Sequence, residues 1–171
     1  MILPFQTPSQ VDAAIPAVVS HLAADGLLGY PTETVYGLGS GPTAPAREKL
    51  SALKGRQPGK PFLLLVDSRG MAEAWGLVFS ASARALSDAF WPGPLTLVLR
   101  GGEGNLPDEL RGREGGIAVR HPSHRGIARL VTAMGRPLTS TSANRPGGPA
   151  APGPDRLVEL FQQAVDRGDL L

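Results

Sequence analysis

The apolar run FLLLV at residues 62–66 constrains the fold more than any other part of the sequence. Lys60 and Pro61 precede it and Asp67 follows it, so the run predicts a short strand. It has no alternation of polar and apolar residues, and a strand of this kind is buried on both faces. Such a strand needs packing above and below it, which favours an α/β fold with helices against a sheet.

Helical and strand-like segments alternate along the rest of the chain. Thr43 is placed to cap one helix, Pro45 lies in its first turn, and Gly55 ends it. Pro16 lies inside the first predicted helix and is expected to strain it. The predicted helices are residues 11–24, 43–55, 80–91, 124–134 and 154–165, and the further predicted strands are residues 27–30, 95–100, 116–120 and 137–141. This order predicts a mixed α/β domain with helices on a twisted sheet.

Length and composition limit the class of protein. With 171 residues and an ordinary apolar fraction, the chain is expected to form a single globular domain spanning residues 1–171. It has no cysteine, which excludes disulfides, thiol catalysis and cysteine-ligated metal sites. No apolar run approaches the roughly 18 residues of a membrane helix, and the N-terminal residues lack the pattern of a signal peptide. We therefore expect a cytoplasmic protein with no membrane partner.

Cationic residues cluster between positions 47 and 60, where five of them accompany a single acidic residue. Lys54, Arg56 and Lys60 lie around a Pro-Gly turn, and three converging cations would suit a polyphosphate. The segment is not a Walker loop, because three residues separate its glycines and proline follows Lys60. The alternative is that these cations compensate the dipole at a helix C-terminus. In the absence of ligand, we expect Lys54 and Arg56 to be solvated.

Short polar residues follow two of the predicted strands. Residues 139–144, TSTSAN, form either a polar turn that caps the next helix or the lining of a ligand pocket at a strand end. Thr32, Glu33 and Thr34 form either a turn with a capping carboxylate or part of a site.

Arg120 ends the predicted strand 116–120, where a guanidinium group can be aimed at a carboxylate or a phosphate. His121 and His124 follow with the spacing H-x-x-H, but no carboxylate lies between Glu114 and the end of the next helix. This pattern favours surface histidines over a metal site.

Five segments together resemble the YrdC-like family, the threonylcarbamoyl-adenylate synthases. They occur in the order and with the spacing of that family and cover nearly the whole chain. The segments are PTETVYGLG (31–39), KGRQPGKPF (54–62), WPGPLTLVL (91–99), GGIAVRHP (115–122) and STSAN (140–144). The resemblance implies an α/β fold with a YrdC-like twisted mixed sheet, flanking helices and a concave basic cleft.

The resemblance also implies which residues bind the substrates. In this family the segment similar to PTETVYGLG forms one wall of the cleft, and the K-x-R and S-x-N signatures line the ATP side. The implied threonine-binding residues are Thr34, Arg120 and Ser140, and the implied ATP-binding residues are Lys54, Arg56, Lys60, Ser142 and Asn144. Lys54 and Arg56 are also the implied catalytic residues, through charge stabilisation.

The implied reaction converts L-threonine, bicarbonate and ATP into threonylcarbamoyl-AMP and pyrophosphate. It requires no protein nucleophile, which agrees with the absence of cysteine and of a Ser-His-acid pattern. ATP enters as a substrate and Mg²⁺ is expected with it, whereas no metal site made by the protein is expected. A partner threonylcarbamoyl transferase complex would then modify tRNA, and direct tRNA or RNA binding by this chain would be weak.

Other functions fit parts of the same sequence. A basic cleft could bind RNA without catalysis, or the chain could be a YrdC-like paralogue without this activity. A hydrogenase-maturation carbamoyltransferase is disfavoured, because the other modules of that enzyme are absent. Pyrophosphate release that depends on threonine and bicarbonate distinguishes a synthase from a binding module.

Overall fold

The computed structural model describes residues 2–33, 35–56 and 60–171. Within these ranges it contains six α-helices, one short 3-10 helix and seven strands. The α-helices are α1 (Pro8–Ala23), α2 (Ala44–Lys54), α3 (Arg69–Ala74), α4 (Ala81–Phe90), α5 (Arg125–Met134) and α6 (Pro154–Asp166), and the 3-10 helix is Asp108–Leu110. The strands are β1 (Leu27–Tyr30), β2 (Gly37–Ser40), β3 (Leu63–Leu65), β4 (Leu77–Val78), β5 (Leu97–Gly101), β6 (Ile117–Arg120) and β7 (Leu138–Ser142).

The strands form one mixed sheet in the order β1-β2-β7-β3-β6-β5-β4. Strands β3 and β6 are parallel, and the other neighbouring strands pair antiparallel. The predicted α/β class with a mixed sheet and flanking helices is confirmed. Strand β3, which contains most of the FLLLV run, lies in the middle of the sheet, and Leu64 and Leu65 are buried there.

Helices cover the two faces of the sheet unequally. On one face α2 and α6 contribute Leu50, Leu157 and Phe161 to the larger hydrophobic core. On the other face α1 and α5 pack a smaller core over β1, β7 and β3. Val78 and Val98, on β4 and β5, are 63% and 71% exposed, so the helices leave this end of the sheet open.

The helix boundaries follow local capping. Thr43 accepts a hydrogen bond from the Ala46 amide and caps α2, and Gly55 ends that helix in the left-handed conformation, as predicted. Helix α1 begins at Pro8 rather than at residue 11, because Thr7 and Gln10 form a reciprocal capping box. Pro16 is accommodated inside the helix. None of the helices in the described ranges has the length and apolarity needed to cross a membrane.

Three of the α-helices and strands, and the short 3-10 helix, are absent from the sequence prediction. Strand β2 is rich in glycine, which disfavours strands, yet it pairs with β1 on one side and β7 on the other. Helix α3 and strand β4 are too short for a periodic pattern to reveal them. Neighbouring strands therefore impose the extended form on β2, which its own residues do not predict.

Candidate functional site

The side chain of Tyr30 crosses β2 to reach the third strand of the sheet. Gly37 lies beside Tyr30 on β2, and a Cβ atom at Gly37 would come within 2.9 Å of the Tyr30 ring. A Cβ atom at Gly39 would be equally close to the ring and 2.5 Å from the Thr139 carbonyl oxygen. The two glycines therefore leave space for the aromatic ring, whose hydroxyl donates a 2.6 Å hydrogen bond to Ser140 Oγ on β7.

This hydrogen bond fixes the direction in which Ser140 can donate. Tyr30 is fully buried, and burial raises the pKa of its hydroxyl well above the ordinary value. The phenol therefore stays protonated, and in the observed hydrogen bond it donates to Ser140 Oγ. The hydroxyl proton of Ser140 remains available for another acceptor.

Ser140 and Arg120 line one small cavity of about 30 Å³, which we call the Arg120 cavity. Its volume corresponds to about one water molecule, so it is closed to a larger ligand in this conformation. The lining residues are Thr32, Glu33, Leu63, Leu65, Arg120, Pro122, His124, Ile127 and Ser140.

Thr96, which directly precedes β5, holds Arg120 at the edge of this cavity. Its Nε and Nη2 atoms donate to Thr96 Oγ1 at 3.1 and 3.0 Å. Its Nη1 atom lies 3.7 Å from Glu33 Oε1, an ion-pair distance that is too long for a hydrogen bond. Both carboxylate oxygens of Glu33 are buried, and neither has a hydrogen-bond partner among the described residues.

A turn after β1 directs Glu33 towards Arg120. Thr32 Oγ1 donates to the Val35 carbonyl at 2.6 Å and accepts from the Val35 amide at 3.2 Å. The Thr32 side chain thus closes the turn from both sides, as serine and threonine side chains commonly do. The segment is tied to the loop after β7, because the Tyr36 carbonyl accepts from the Ala143 amide at 2.9 Å.

A second group of polar residues, which we call the Lys54 network, consists of Lys54, Ser142 and Asn144. Lys54 lies in the last turn of α2, is 7% exposed and donates to the Ser142 carbonyl at 2.5 Å. It also donates to the Asn144 carbonyl at 3.1 Å and to Asn144 Oδ1. An ammonium group has three N–H donors, so these three oxygens satisfy it completely.

Asn144 connects this network to the following loop. Its Oδ1 atom also accepts from Ser142 Oγ at 2.6 Å, and its Nδ2 atom donates to the Arg145 and Gly148 carbonyls, each at 2.9 Å. The hydrogen bonds of Lys54 therefore connect the end of β7 and the loop after it to the C-terminal end of α2.

Arg56 lies beside the Lys54 network and is partly buried. Its guanidinium donates to the carbonyls of Lys60 and Pro61 at 2.9 and 2.6 Å and to Thr141 Oγ1 at 3.1 Å. The group also lies 4.4 Å from the centre of the Phe62 ring, in cation–π geometry. A guanidinium has five N–H donors, so two of them have no bonded partner within the described residues. The side chain of Lys60 is exposed.

Burial changes the acidity of both cations. Desolvation, followed by the charge of nearby Arg56, lowers the pKa of Lys54 to about 8. Burial also lowers the pKa of Arg56 from its ordinary value. Lys54 is buried, so the expectation that it is solvated without ligand is wrong, whereas Arg56 is only partly buried. Ser142 and Asn144 follow Lys54 by 88 and 90 positions, and the sequence alone does not reveal that they contact it.

The structure thus assembles the predicted site residues into two groups. Ser142 and Asn144 contact Lys54, with Arg56 beside them, and Arg120 and Ser140 share a cavity. Ser140 and Ser142 lie two residues apart on β7, about 7 Å along the strand. The two groups are therefore neighbours along a single strand. Thr34 lies outside the described residues, and its expected contact with threonine stays a prediction.

The dense polar run at residues 139–144 has mixed roles. Thr139 points to the opposite face of β7, where its hydroxyl donates to the Ser40 carbonyl at 2.9 Å in a fully buried contact. Thr141 accepts from Arg56, whereas Ser142 and Asn144 contact Lys54. Only part of this run therefore faces the candidate site.

His121 and His124 both have structural contacts. His124 caps α5 by accepting from the Ile127 amide, and His121 lies edge-on to the Trp91 ring. Across the described ranges, no group of three or more His, Cys, Asp or Glu side chains could hold a metal ion.

Three residues of the candidate site are absent from the predicted set. Glu33 lies in the segment PTETVYGLG (31–39), but from the sequence its carboxylate could equally well cap a turn. Thr96 and Tyr30 act through Arg120 and Ser140, which lie 24 and 110 positions away. Contacts at such separations follow from the sheet order, which the sequence does not provide.

Comparison with known proteins identifies the family. Residues 20–168 match the Sua5/YciO/YrdC family model, whose description is telomere recombination. This chain belongs to the Sua5/YciO/YrdC family. The predicted resemblance to YrdC-like proteins is confirmed.

Individual relatives agree with this assignment. The threonylcarbamoyl-AMP synthase of Thiobacillus denitrificans is 38% identical over 142 residues, which are 82% of this chain and 75% of that protein. The structure of Pyrococcus abyssi Sua5 complexed with L-threonine has a TM-score of 0.80 at 31% identity, covering 86% of this chain and 44% of that one. Escherichia coli YciO, at 24% identity, has a TM-score of 0.80 over 92% of this chain and 76% of its own, and shows the fold alone.

These relatives also bear on the class of protein. The Thiobacillus protein is named as a synthase, so the expectation of an enzyme family is confirmed. The present chain spans less than half of the Pyrococcus abyssi protein.

Proposed function

We propose that this protein is an L-threonylcarbamoyladenylate synthase that forms threonylcarbamoyl-AMP and pyrophosphate from L-threonine, bicarbonate and ATP. The observation that carries the proposal is the placement of two chemically different subsites along β7. A cavity with a cation and a serine hydroxyl suits a small carboxylic acid, and the adjoining cationic group suits a polyphosphate. The names of the relatives, including a Sua5 complex with L-threonine, support the same assignment.

In the proposed reaction, the positioned substrates react with each other. The amine of threonine combines with bicarbonate to give a carbamate and water. A carbamate oxygen then attacks the α-phosphorus of ATP, and the bond to the β-phosphate oxygen breaks to release pyrophosphate. The protein contributes position and charge, because neither step requires a covalent intermediate on a side chain.

The described contacts divide the roles of the cations. Arg120 would bind the carboxylate of threonine, with Ser140 donating its free hydroxyl proton. Arg56, two of whose N–H groups have no partner among the described residues, and exposed Lys60 would contact the phosphates directly. Lys54 has no spare donor, so it would act as a positioning residue that holds Ser142 and Asn144 for the nucleotide.

Magnesium fits this site only as a companion of ATP. Mg²⁺ in nucleotide sites commonly binds substrate phosphates and water with one or two protein carboxylates. The part of the chain that the structure describes has no cluster of three potential ligands, so phosphate oxygens would supply most of the coordination. Its chemistry would be to neutralise charge on the phosphates.

The product implies partners beyond this chain. A mixed anhydride of a carbamate and AMP is an activated acyl donor, so a threonylcarbamoyl transferase complex would have to pass the group to tRNA in the cytoplasm. Direct tRNA binding by this chain would be weak and sensitive to salt.

The proposal is tested by measuring pyrophosphate release and AMP-linked product while each substrate is omitted in turn. We expect both signals only when L-threonine, bicarbonate and ATP are all present. Pyrophosphate release at the same rate without threonine would reject the synthase and leave a simple nucleotide hydrolase.

A further inference from the structure

The Arg120 cavity contains a cation and an anion that do not satisfy each other. The closest atoms of Arg120 and Glu33 are 3.7 Å apart, and both Glu33 oxygens are buried without a hydrogen-bond donor in the described ranges. Burying a carboxylate without such donors is strongly unfavourable. Within the described ranges, Glu33 therefore offers two buried acceptor oxygens that the donors of a ligand could satisfy.

The pair of charges mirrors an α-amino acid. Such a molecule carries a carboxylate and an ammonium group on the same carbon atom, and Arg120 provides the cation for its carboxylate. Glu33 is the one acidic side chain among the described residues that line the cavity. An ammonium group has three donors and can reach both oxygens of a carboxylate.

We propose that Glu33 binds the α-ammonium group of the substrate and selects an α-amino acid over other small carboxylic acids. The inference rests on the proposed function, because it assigns a further recognition residue to the same site. Arg120 and Ser140 then recognise the carboxylate end, whereas Glu33 recognises the amine end.

The opposite role for Glu33 would be a latch that occupies Arg120 and blocks the substrate carboxylate. A latch of this kind would form paired, short N–H···O bonds between guanidinium and carboxylate, at about 2.7–2.9 Å. The observed distance of 3.7 Å and the two unsatisfied oxygens do not fit such a bond. Since the cavity of about 30 Å³ is smaller than an amino acid, its lining has to move as the ligand enters.

The test uses Glu33→Gln, which keeps the shape of the side chain and removes its charge. Calorimetric titration compares L-threonine with (2S,3R)-2,3-dihydroxybutyrate, in which a hydroxyl replaces the ammonium group. We expect the variant to bind threonine about 10- to 100-fold more weakly, and the hydroxy acid as well as the wild-type protein does. Glu33→Asp should recover part of the threonine affinity.

Glu109→Gln is the matched control. Glu109 also pairs with an arginine, Arg47, at 3.2 Å, but it does not line the Arg120 cavity. Its substitution should leave the affinity for both acids unchanged. Thermal melting of all variants verifies that they are folded.

Two results would overturn the inference: an unchanged preference for threonine in Glu33→Gln, or tighter threonine binding, which identifies a latch. The titration measures binding without turnover, so its result is independent of the pyrophosphate-release test of the proposed reaction. Threonine binding that depends on Glu33 in a protein that releases no pyrophosphate would reject the synthase and keep the inference. Absence of threonine binding to the wild-type protein would reject both.

Discussion

The Lys54 network and the Arg120 cavity treat buried charge in opposite ways. Every N–H group of Lys54 has an oxygen partner supplied by Ser142 or Asn144. In the Arg120 cavity both oxygens of Glu33 lack a donor among the described residues. Among the described residues, the first group is complete by itself, whereas the second would be completed by the donors of the proposed ligand.

This difference has a consequence for substitutions. Removing a member of a completed network leaves buried partners unsatisfied, so it should lower the stability of the fold. Removing a member of an incomplete group should mainly weaken ligand binding. A loss of stability should therefore report on the Lys54 network, and a loss of substrate affinity should report on the Arg120 cavity.

The largest expected effect is on stability, in Lys54→Met. The change keeps much of the aliphatic volume but leaves the Ser142 and Asn144 oxygens without their common donor. We expect the free energy of unfolding to fall by about 3 kcal/mol, measured by chemical denaturation. Lys60→Met, at an exposed position of the same segment, should change it by less than about 0.5 kcal/mol.

Equal stability of Lys54→Met and the wild-type protein would contradict the contrast between the two groups. It would mean that water satisfies the loop oxygens as well as Lys54 does, and that Lys54 is free to contact phosphate directly. ATP affinity of the same variant then decides between a positioning role and direct contact.

The next effect concerns Arg120→Ala, which removes the cation of the incomplete group. Loss of a charged hydrogen bond to the threonine carboxylate should lower kcat/KM for threonine by about 30- to 150-fold, or roughly 2–3 kcal/mol. ATP affinity should change little. Steady-state kinetics with each substrate varied in turn measure both quantities.

Arg100→Ala is a suitable control for this prediction, because Arg100 is an exposed arginine on the neighbouring strand β5. It should leave kcat/KM for threonine unchanged. If Arg120→Ala instead weakened ATP and spared threonine, the two subsites would be assigned the wrong way round.

Much of the fold is predictable because it depends on local signals. Thr43 and Gly55 bound α2 as expected, and the continuous apolar run at 62–66 marks the central strand β3. Strand β2 is the counterexample. Its glycines signal close approach of another group, but only the sheet order identifies that group as the ring of Tyr30.

The motifs single out residues that lie near one another in the structure, but the sequence does not predict their contacts. The motifs place Lys54, Ser142 and Asn144 on the same substrate, and the structure brings them together. Their mutual hydrogen bonds span about 90 residues and reverse the expectation of a solvated lysine. Glu33 shows the same limit, because its lack of donors is a property of the assembled cavity.

The smallest expected effect is a change with pH that distinguishes wild-type protein from Lys54→Met. Burial lowers the pKa of Lys54 from its ordinary 10.5 to about 8 in the folded protein. Between these two values the unfolded chain keeps a proton that the folded protein has released. The unfolded state therefore binds more protons, and the stability contributed by this group rises with pH across the window.

Activity should change in the opposite direction. A neutral amine has only two N–H donors and no charge, so the Lys54 network loosens as pH rises through about 8. We expect the difference in unfolding free energy between wild-type protein and Lys54→Met to grow from pH 7 to pH 10, while kcat/KM for ATP of the wild-type protein falls. Denaturation and kinetics at several pH values measure both, and groups common to the two proteins cancel in the stability difference.

A difference that stays constant would show that the three oxygen acceptors keep Lys54 charged despite its burial. The Lys54 network would then be completed electrostatically as well as geometrically, and its contrast with the Arg120 cavity would be sharper.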